Sequence, residues 1–422
     1  MSRIAVLGAG YVGLTTAACF SHLGHTVICA DVLADRVDQL SRGEVPIREA
    51  GLEELIRTGL DGGRLSFVVG EAAAAADCEF CYLCVPTPQA ADGSADLSYI
   101  RQAASAVARV LPEESVVVNK STVPVGSTRV VEQALGRDDV KVASNPEFLR
   151  EGSAVHDFLH PDRIVIGCED QATAGRVAAL FEGIQAPVIV TDPASAETIK
   201  YASNAFLATK VSFVNAIANV CEAVGADVRE VVLGMGYDRR IGFEFLKPGP
   251  GFGGSCFPKD TRALIRIAEE AGYDFDLLKG VVAVNDEQFD RVVTKVERMT
   301  GGSVEDKLIA AWGLTFKART DDLRGSPAIE VLHRLQQRGA RIRAYDPAVA
   351  DGVDGLEVAA DPYAACEGAA VLLVLTEWDE FRNVDFAKVA DALDAPRVVD
   401  ARNLLDPIAL RRRGFDYEGV GR

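Results

Sequence analysis

The chain has 422 residues, with 44 Lys+Arg against 62 Asp+Glu and a formal net charge of −18. At ~100–200 residues per domain this length suggests about two to four domains, and 48% hydrophobic with 25% charged residues is a globular balance, not a disordered one. The acidic excess argues against a nucleic-acid partner, which needs a basic footprint, and against docking on anionic lipid. The nine cysteines are odd in number and lack framework spacing. A chain of this size buries its core without disulfides, so a reducing, cytoplasmic setting is expected.

Between Arg3 and Asp31 there is no Lys, Arg, Asp or Glu, so on charge alone the stretch could pass for a signal or a membrane span. Gly8, Gly10, Gly13, Gly24, His22 and His25 interrupt it, and no other stretch reaches the ~18 apolar residues a span requires. No membrane segment is expected. Residues 3–8 read as a short buried parallel strand. Gly8-Ala9-Gly10-Tyr11-Val12-Gly13 follows, then a helix to about Leu23, then a strand over Thr26–Ala30 that delivers Asp31. This is G-x-G-x-x-G in its strand–turn–helix context. The glycines allow a tight turn and close backbone approach to a pyrophosphate seated on the helix N-terminus. Asp31 lies 21 residues after Gly10, where an acid binds a ribose 2′-hydroxyl and repels a 2′-phosphate, so NAD is expected rather than NADP.

The βα alternation continues with strands at Glu79–Val85, Ser115–Lys120 and Val140–Ser144 and helices at Leu97–Leu111 and Val125–Leu135. Such alternation predicts a doubly wound parallel sheet. The loops carrying Thr87 and Thr122 follow strand C-termini, where ligands bind in such sheets. Both are candidate cofactor contacts, and both are also ordinary turn residues. Cys78-x-x-Cys81-x-x-Cys84 has cluster-like spacing, but a fourth ligand is missing and strand alternation sends Cys81 and Cys84 to opposite faces. No metal is expected.

From Ala194 to about Val224 neither Gly nor Pro interrupts the chain. Ile199, Phe206, Phe213 and Val220 recur every seven residues, and Leu207, Val214 and Cys221 form an adjacent stripe. This predicts one long helix with a wide apolar face, a hub or subunit interface. Lys200 and Asn204, four apart, share a face of it. Next comes Lys247-Pro-Gly-Pro-Gly-Phe-Gly-Gly-Ser-Cys256-Phe-Pro-Lys259-Asp260. Four glycines just before a cysteine let backbone wrap a ligand and leave the thiol accessible, and a cationic neighbour favours the nucleophilic thiolate. Cys256 is therefore the candidate nucleophile among the nine.

A second βα series follows. Leu308–Trp312 reads as a strand, a polar loop carries Lys317 and Arg324, and Ser326-Pro327 caps a helix to Gln337. Strands at Ala340–Tyr345, Ala369–Leu375 and Arg397–Asp400 complete a sheet. The glycine fingerprint is absent here, so this domain suits a different phosphorylated ligand. The expected fold is α/β, with two Rossmann-like doubly wound domains joined by a long central helix. The expected divisions are 1–193 for the NAD-binding domain, 194–300 for a central helical domain with the cysteine loop, and 301–422 for the second βα domain.

Taken together, these residues resemble the nucleotide-sugar dehydrogenases of the UDP-glucose/GDP-mannose group over essentially the whole chain. The marks are the glycine fingerprint, Ser121-Thr122-Val123-Pro124, Asn145-Pro146-Glu147-Phe148-Leu149-Arg150-Glu151-Gly152 and Lys200-x-x-x-Asn204. They continue with Gly251-Phe-Gly-Gly-Ser-Cys256-Phe-Pro-Lys259-Asp260 and Phe316-Lys317-x-x-Thr320-Asp-Asp-Leu-Arg324. Tyr345-Asp346-Pro347 and Thr376-Glu-Trp378-Asp-Glu-Phe381 look like the UDP-glucose branch. One departure is Ala311-Trp312-Gly313-Leu314, where the family has Leu-Gly-Leu, and it should affect packing alone.

The resemblance implies a four-electron oxidation of UDP-glucose to UDP-glucuronate, with two NAD+ consumed and a thiohemiacetal and thioester formed on Cys256. It implies that Lys200 stabilises oxyanions with help from Asn204, and that Asp260 and Glu147 position and activate water with Thr122 nearby. Glu151, Lys259 and Arg324 would lie near the cofactor, and Arg36 would join Asp31 on its adenosine side. Phe148, Leu149, Lys247, Gly253, Lys317 and Arg402 would hold the UDP-sugar. Arg240 matches an arginine that reaches into a neighbouring subunit, which implies a homodimer. The resemblance likewise implies that 194–300 is the dimerisation domain and 301–422 the nucleotide-sugar-binding domain. Two rivals are an NAD-dependent dehydrogenase of a small hydroxy acid, which needs neither the cysteine loop nor the second βα domain, and a catalytically silent nucleotide-sugar sensor.

Overall fold

The computed structural model describes residues 1–88, 95–350, 352–353 and 355–422. The chain forms two compact units, Met1–Ser203 with Arg262–Ala271, and Asn204–Thr261 with Gly272–Arg422. Sequence reading gives three spans; here the middle span has no sheet of its own, and its helices are shared between the two units.

The first unit is built on an eight-stranded sheet, ordered β3-β2-β1-β4-β5-β6-β7-β8. Its strands are β1 (Arg3–Leu7), β2 (Thr26–Asp31), β3 (Leu65–Val69), β4 (Phe80–Leu83), β5 (Val116–Asn119), β6 (Lys141–Ser144), β7 (Ile164–Gly167) and β8 (Val188–Thr191). Ile4 and Val6 of β1 enter one core with Phe20 and Tyr82, and Ala5 and Leu7 enter another with Ile100 and Val117. That two-sided burial is why these strands read as continuous apolar runs. The sheet is parallel except where β7 pairs with β6 antiparallel, through Ser144 and Gly167. This corrects the all-parallel expectation: β7 and β8 pair with each other parallel but run against the rest. Cys81 and Cys84 lie in the two opposite cores, and among the described residues no His/Cys/Asp/Glu group could hold a metal.

The second unit carries a six-stranded parallel sheet, ordered β11-β10-β9-β12-β13-β14. Its strands are β9 (Leu308–Trp312), β10 (Arg341–Tyr345), β11 (Glu357–Val358), β12 (Val371–Val374), β13 (Arg397–Asp400) and β14 (Asp416–Gly419). The unusual Trp312 is wholly buried. It stacks on Phe381 with 5.1 Å between ring centroids and donates its indole N–H to the Pro362 carbonyl at 3.0 Å.

The long helix spans Pro193–Val224, with proline at its first position and Asp192 accepting the Ser195 N–H at 2.8 Å. It ends at Gly225, φ +75°, where the Ala226 N–H reaches back to the Cys221 carbonyl. Its two stripes part company. Val214 and Cys221 are buried, whereas Phe206, Phe213 and Val220 are exposed. By length and composition this helix could cross a membrane, contrary to the expectation that no stretch beyond Arg3–Asp31 is apolar enough. Glu197, Lys200 and Asn204 along it are buried and hydrogen-bonded to protein partners.

Candidate active site

The first unit holds a dinucleotide-shaped cradle. Gly8 turns with φ +99°, and a Cβ there would lie 2.7 Å from the Cys84 carbonyl oxygen. At Gly13 a Cβ would come within 1.8 Å of the Gly8 carbonyl oxygen, so helix and strand pack through a gap that only glycine leaves. Nothing lies within 4 Å of a Cβ built on Gly10. That open side faces the start of helix Tyr11–His22, whose N-cap carries no side-chain hydrogen bond. Bare N–H groups beside open space fit a pyrophosphate. Asp31 ends β2, accepts the Ala9 N–H at 2.9 Å and the Leu33 N–H at 3.0 Å, and has Arg36 at 3.9 Å. Val12 packs against the adjoining core. Thr87 donates its hydroxyl to the Thr122 carbonyl at 2.9 Å, so the two candidate loops meet. The Tyr11 hydroxyl bonds Glu49, and the Gly152 N–H donates to that hydroxyl at 2.6 Å and to Glu49 at 2.7 Å. The glycine loop is thereby tied to the segment bearing Glu151.

In the same unit Lys200 and Glu147 form a buried pair, Nζ to Oε1 2.9 Å, both about 5% exposed at the side chain. The Leu149 N–H donates to the other oxygen of Glu147 at 2.6 Å. Burial opposes the charge of Glu147, but Lys200, the Leu149 N–H and Lys120 outweigh it and hold its carboxyl below the usual carboxylate range. The Phe148 ring lies under Lys200 Nζ at 5.4 Å and under the Arg163 guanidinium at 3.7 Å.

The second unit holds the cysteine. Cys256 accepts the Asp260 N–H on its carbonyl at 2.8 Å and so opens helix Phe257–Glu270. The positive end of that helix favours an anionic sulfur. All eight other cysteines are buried. The Lys259 ammonium, expected to favour the thiolate, bonds Asp260 Oδ1 at 2.8 Å, so much of its charge is already engaged. Asp260 is wholly buried and accepts the Asn204 amide on its other oxygen at 2.6 Å.

The glycine loop before the cysteine is clamped. Gly249 bonds Asn215 and Gln288, each at 2.8 Å, and Asn285 brackets the Phe252 backbone at 2.7 and 3.1 Å. A Cβ on Gly253 would meet the Gly325 carbonyl oxygen at 2.1 Å, so only glycine fits at this point of the loop. Arg402 donates to the Leu375 carbonyl at 2.7 Å and the Phe316 carbonyl at 3.1 Å, pairs with Glu377, and lies beside Gly249. Lys317 lies over the Phe316 ring at 5.3 Å. Lys247 is exposed. Arg324 and Arg240 are exposed and pair locally with Asp322 and Asp238.

Residues 2–185 match the NAD binding domain of the UDP-glucose/GDP-mannose dehydrogenase family, residues 194–287 its central domain and residues 310–407 its UDP binding domain. The chain belongs to this dehydrogenase family. It is 45% identical to the UDP-glucose 6-dehydrogenase of Pseudomonas aeruginosa, over all of this chain and 97% of that one. It is 44% identical to UDP-glucose 6-dehydrogenase TuaD of Bacillus subtilis, over all of this chain and 94% of that one. The solved UDP-glucose dehydrogenase of Pyrobaculum islandicum superposes with a TM-score of 0.92 at 39% identity, covering 100% and 98% of the two chains.

Within this dehydrogenase, sequence reading passed over Glu49, Asn215, Asn285, Gln288 and Lys120. Four of the five are acid or amide side chains, which sequence alone does not separate from solvated surface. Lys120 had a signal, a lysine just after the apolar run Val116-Val-Val118 and Asn119.

Proposed function

We propose that this protein oxidises UDP-glucose to UDP-glucuronate through covalent intermediates on Cys256. The observation that carries the reading is the placement of one accessible cysteine at a helix start, one turn from a buried Asp260–Asn204 pair. When bound in the Gly8–Gly13 and Asp31 cradle, NAD+ supplies the hydride acceptor, one molecule per oxidation. The first oxidation turns the sugar CH2OH into an aldehyde. The Cys256 thiolate adds to that carbonyl carbon and forms a thiohemiacetal, whose carbon still bears the hydrogen a second oxidation removes. The thioester that results is cleaved by water positioned by Asp260 and Glu147 with Thr122, releasing the carboxylate and the thiolate. Lys200, with Asn204, stabilises the successive oxyanions. Glu151, Lys259 and Arg324 attend the cofactor, with Arg36 on its adenosine side. Phe148, Leu149, Lys247, Gly253, Lys317 and Arg402 hold the UDP-sugar.

Counting NADH per UDP-glucose tests this. Two are expected. One would point to a single oxidation, as in small hydroxy-acid dehydrogenases, and none across UDP-, dTDP- and GDP-hexoses would leave a nucleotide-sugar sensor.

The reading includes a homodimer built on the central span 194–300, with Arg240 completing the partner's sugar site. Its support is the apolar surface left in water: Phe206 is 64% exposed, Phe213 50%, Val220 55% and Tyr237 74%. Phe206→Glu with Phe213→Glu should yield monomers by light scattering, with activity lost. A dimer that survives both changes would remove this interface. We place the enzyme in the cytoplasm, unattached to membrane or nucleic acid, supplying UDP-glucuronate for polysaccharide synthesis.

A further inference from the structure

Lys120 is a buried ammonium that the reaction described above does not use. It follows β5, and its side chain is directed into the apolar core that also holds Val116 and Val118. Its Nζ donates to Asn145 Oδ1 at 3.0 Å. The Asn145 amide is itself fixed, because its Nδ2 donates to the Val165 carbonyl at 2.8 Å and its backbone N–H to the Asn119 carbonyl at 2.9 Å. The aromatic rings of Phe158 and Phe181 lie 5.8 and 5.9 Å from the ammonium.

A neutral amide oxygen does not neutralise a buried cation, so the balancing charge has to come from farther away. The titratable groups facing Lys120 are Cys19, Cys84, Glu147 and Lys200. Burial pushes both thiols up to about 12, so they stay neutral. Lys200 repels. That leaves Glu147, two residues beyond Asn145, as the one anion among these groups. Two buried lysines, Lys120 and Lys200, therefore act on the Glu147 carboxylate.

We propose that Lys120 is a positioning residue for the Glu147–Lys200 pair, a second cation that acts on the carboxylate from behind Asn145 without contacting it. This rests on the water-positioning role given to Glu147. Its effect is to keep Glu147 anionic, and so bonded to Lys200 and the Leu149 N–H, while substrate is processed. Burial lowers the Lys120 ammonium to about 8, with Glu147 the main opposing influence, so the support weakens as Lys120 deprotonates above neutrality.

The test is the pH profile of kcat in Lys120→Met and Asn145→Asp. The first removes the cation. The second keeps it and places a carboxylate against it. In both, the acid limb governed by Glu147 should move to higher pH by about one unit, the effect of losing one nearby opposite charge. A fall in kcat that is uniform across pH, with the limb unmoved in both variants, overturns the proposal and leaves Lys120 a packing residue. If Lys120→Met does not fold, Asn145→Asp decides. Glu147→Gln separates this proposal from the reading beneath it. If that variant keeps full turnover and the wild-type acid limb, the role of Glu147 has failed. The shift is then read on Glu147 itself by carbon-13 NMR of its carboxylate, and an unchanged midpoint in Lys120→Met overturns the Lys120 proposal alone.

Discussion

Cys256→Ser is expected to lose steady-state turnover by a factor on the order of 10³ or more while NAD+ still binds, because a serine hydroxyl is a far weaker nucleophile than a thiolate and a poorer leaving group from an acyl carbon. The surroundings of Cys256 are arranged for an anion at sulfur. It begins a helix of 14 residues, and its loop is held by Asn215, Asn285 and Gln288 rather than left free to withdraw. The cofactor cradle of Gly8, Gly10, Gly13 and Asp31 belongs to the other compact unit, so the substitution leaves it intact. The check is steady-state kinetics beside NAD+ titration by protein fluorescence. Full activity in the serine variant would exclude covalent catalysis at this residue. Loss of NAD+ affinity together with turnover would mean that the change had damaged the fold.

Lys200→Ala should strike activity and stability together. A cation lost from the developing oxyanions costs roughly 10²–10³ in kcat. Removing one partner of a buried pair also leaves an uncompensated charge, at ~3–5 kcal/mol for a typical case, partly offset here by Lys120. The pH dependence separates the two effects. In the native protein the Glu147 carboxyl is held below its ordinary value. Its contribution to stability is therefore present above the unfolded value of about 4.3 and lost as pH falls through the lower folded value. Without Lys200, burial is opposed by less and the carboxyl moves up. The stability deficit of the variant is then greatest near neutrality and shrinks towards pH 4, where Glu147 is protonated. Thermal melts from pH 4 to 8 measure this, and a deficit that does not vary with pH would show that the Glu147–Lys200 charge pairing does not stabilise the fold.

Much of the fold is legible without coordinates because its signals are local. Leu308–Trp312, Arg397–Asp400 and helix Pro327–Gln337 fall where strand patterning and the Ser326-Pro327 cap put them. Buried parallel strands must be apolar on both faces, and a proline after a capping serine has few other places in a helix. The strands missed, such as Leu65–Val69 and Asp416–Gly419, lie at sheet edges, where Ser66, Asp416 and Glu418 dilute the pattern. The reversal at β7 was not legible either. Strand direction depends on which neighbour a segment pairs with, and Ile164–Gly167 is equally apolar run either way.

The candidate reactive groups are named without coordinates, the glycine cradle and Cys256 from residue type and loop composition, Lys200, Asn204, Asp260 and Glu147 from the family resemblance. A pyrophosphate cradle needs glycine where backbone must approach, as at Gly8 and Gly13, and an accessible nucleophile needs a loop like that before Cys256. Which charges face one another was decided only by the tertiary structure. Lys259 reads as the thiolate's cation and instead bonds Asp260, while Lys120 reads as a strand end and instead lies near Glu147 behind Asn145. Charge interaction depends on distance and burial, and residues 120, 147 and 200 acquire both only when β5, β6 and the long helix come together.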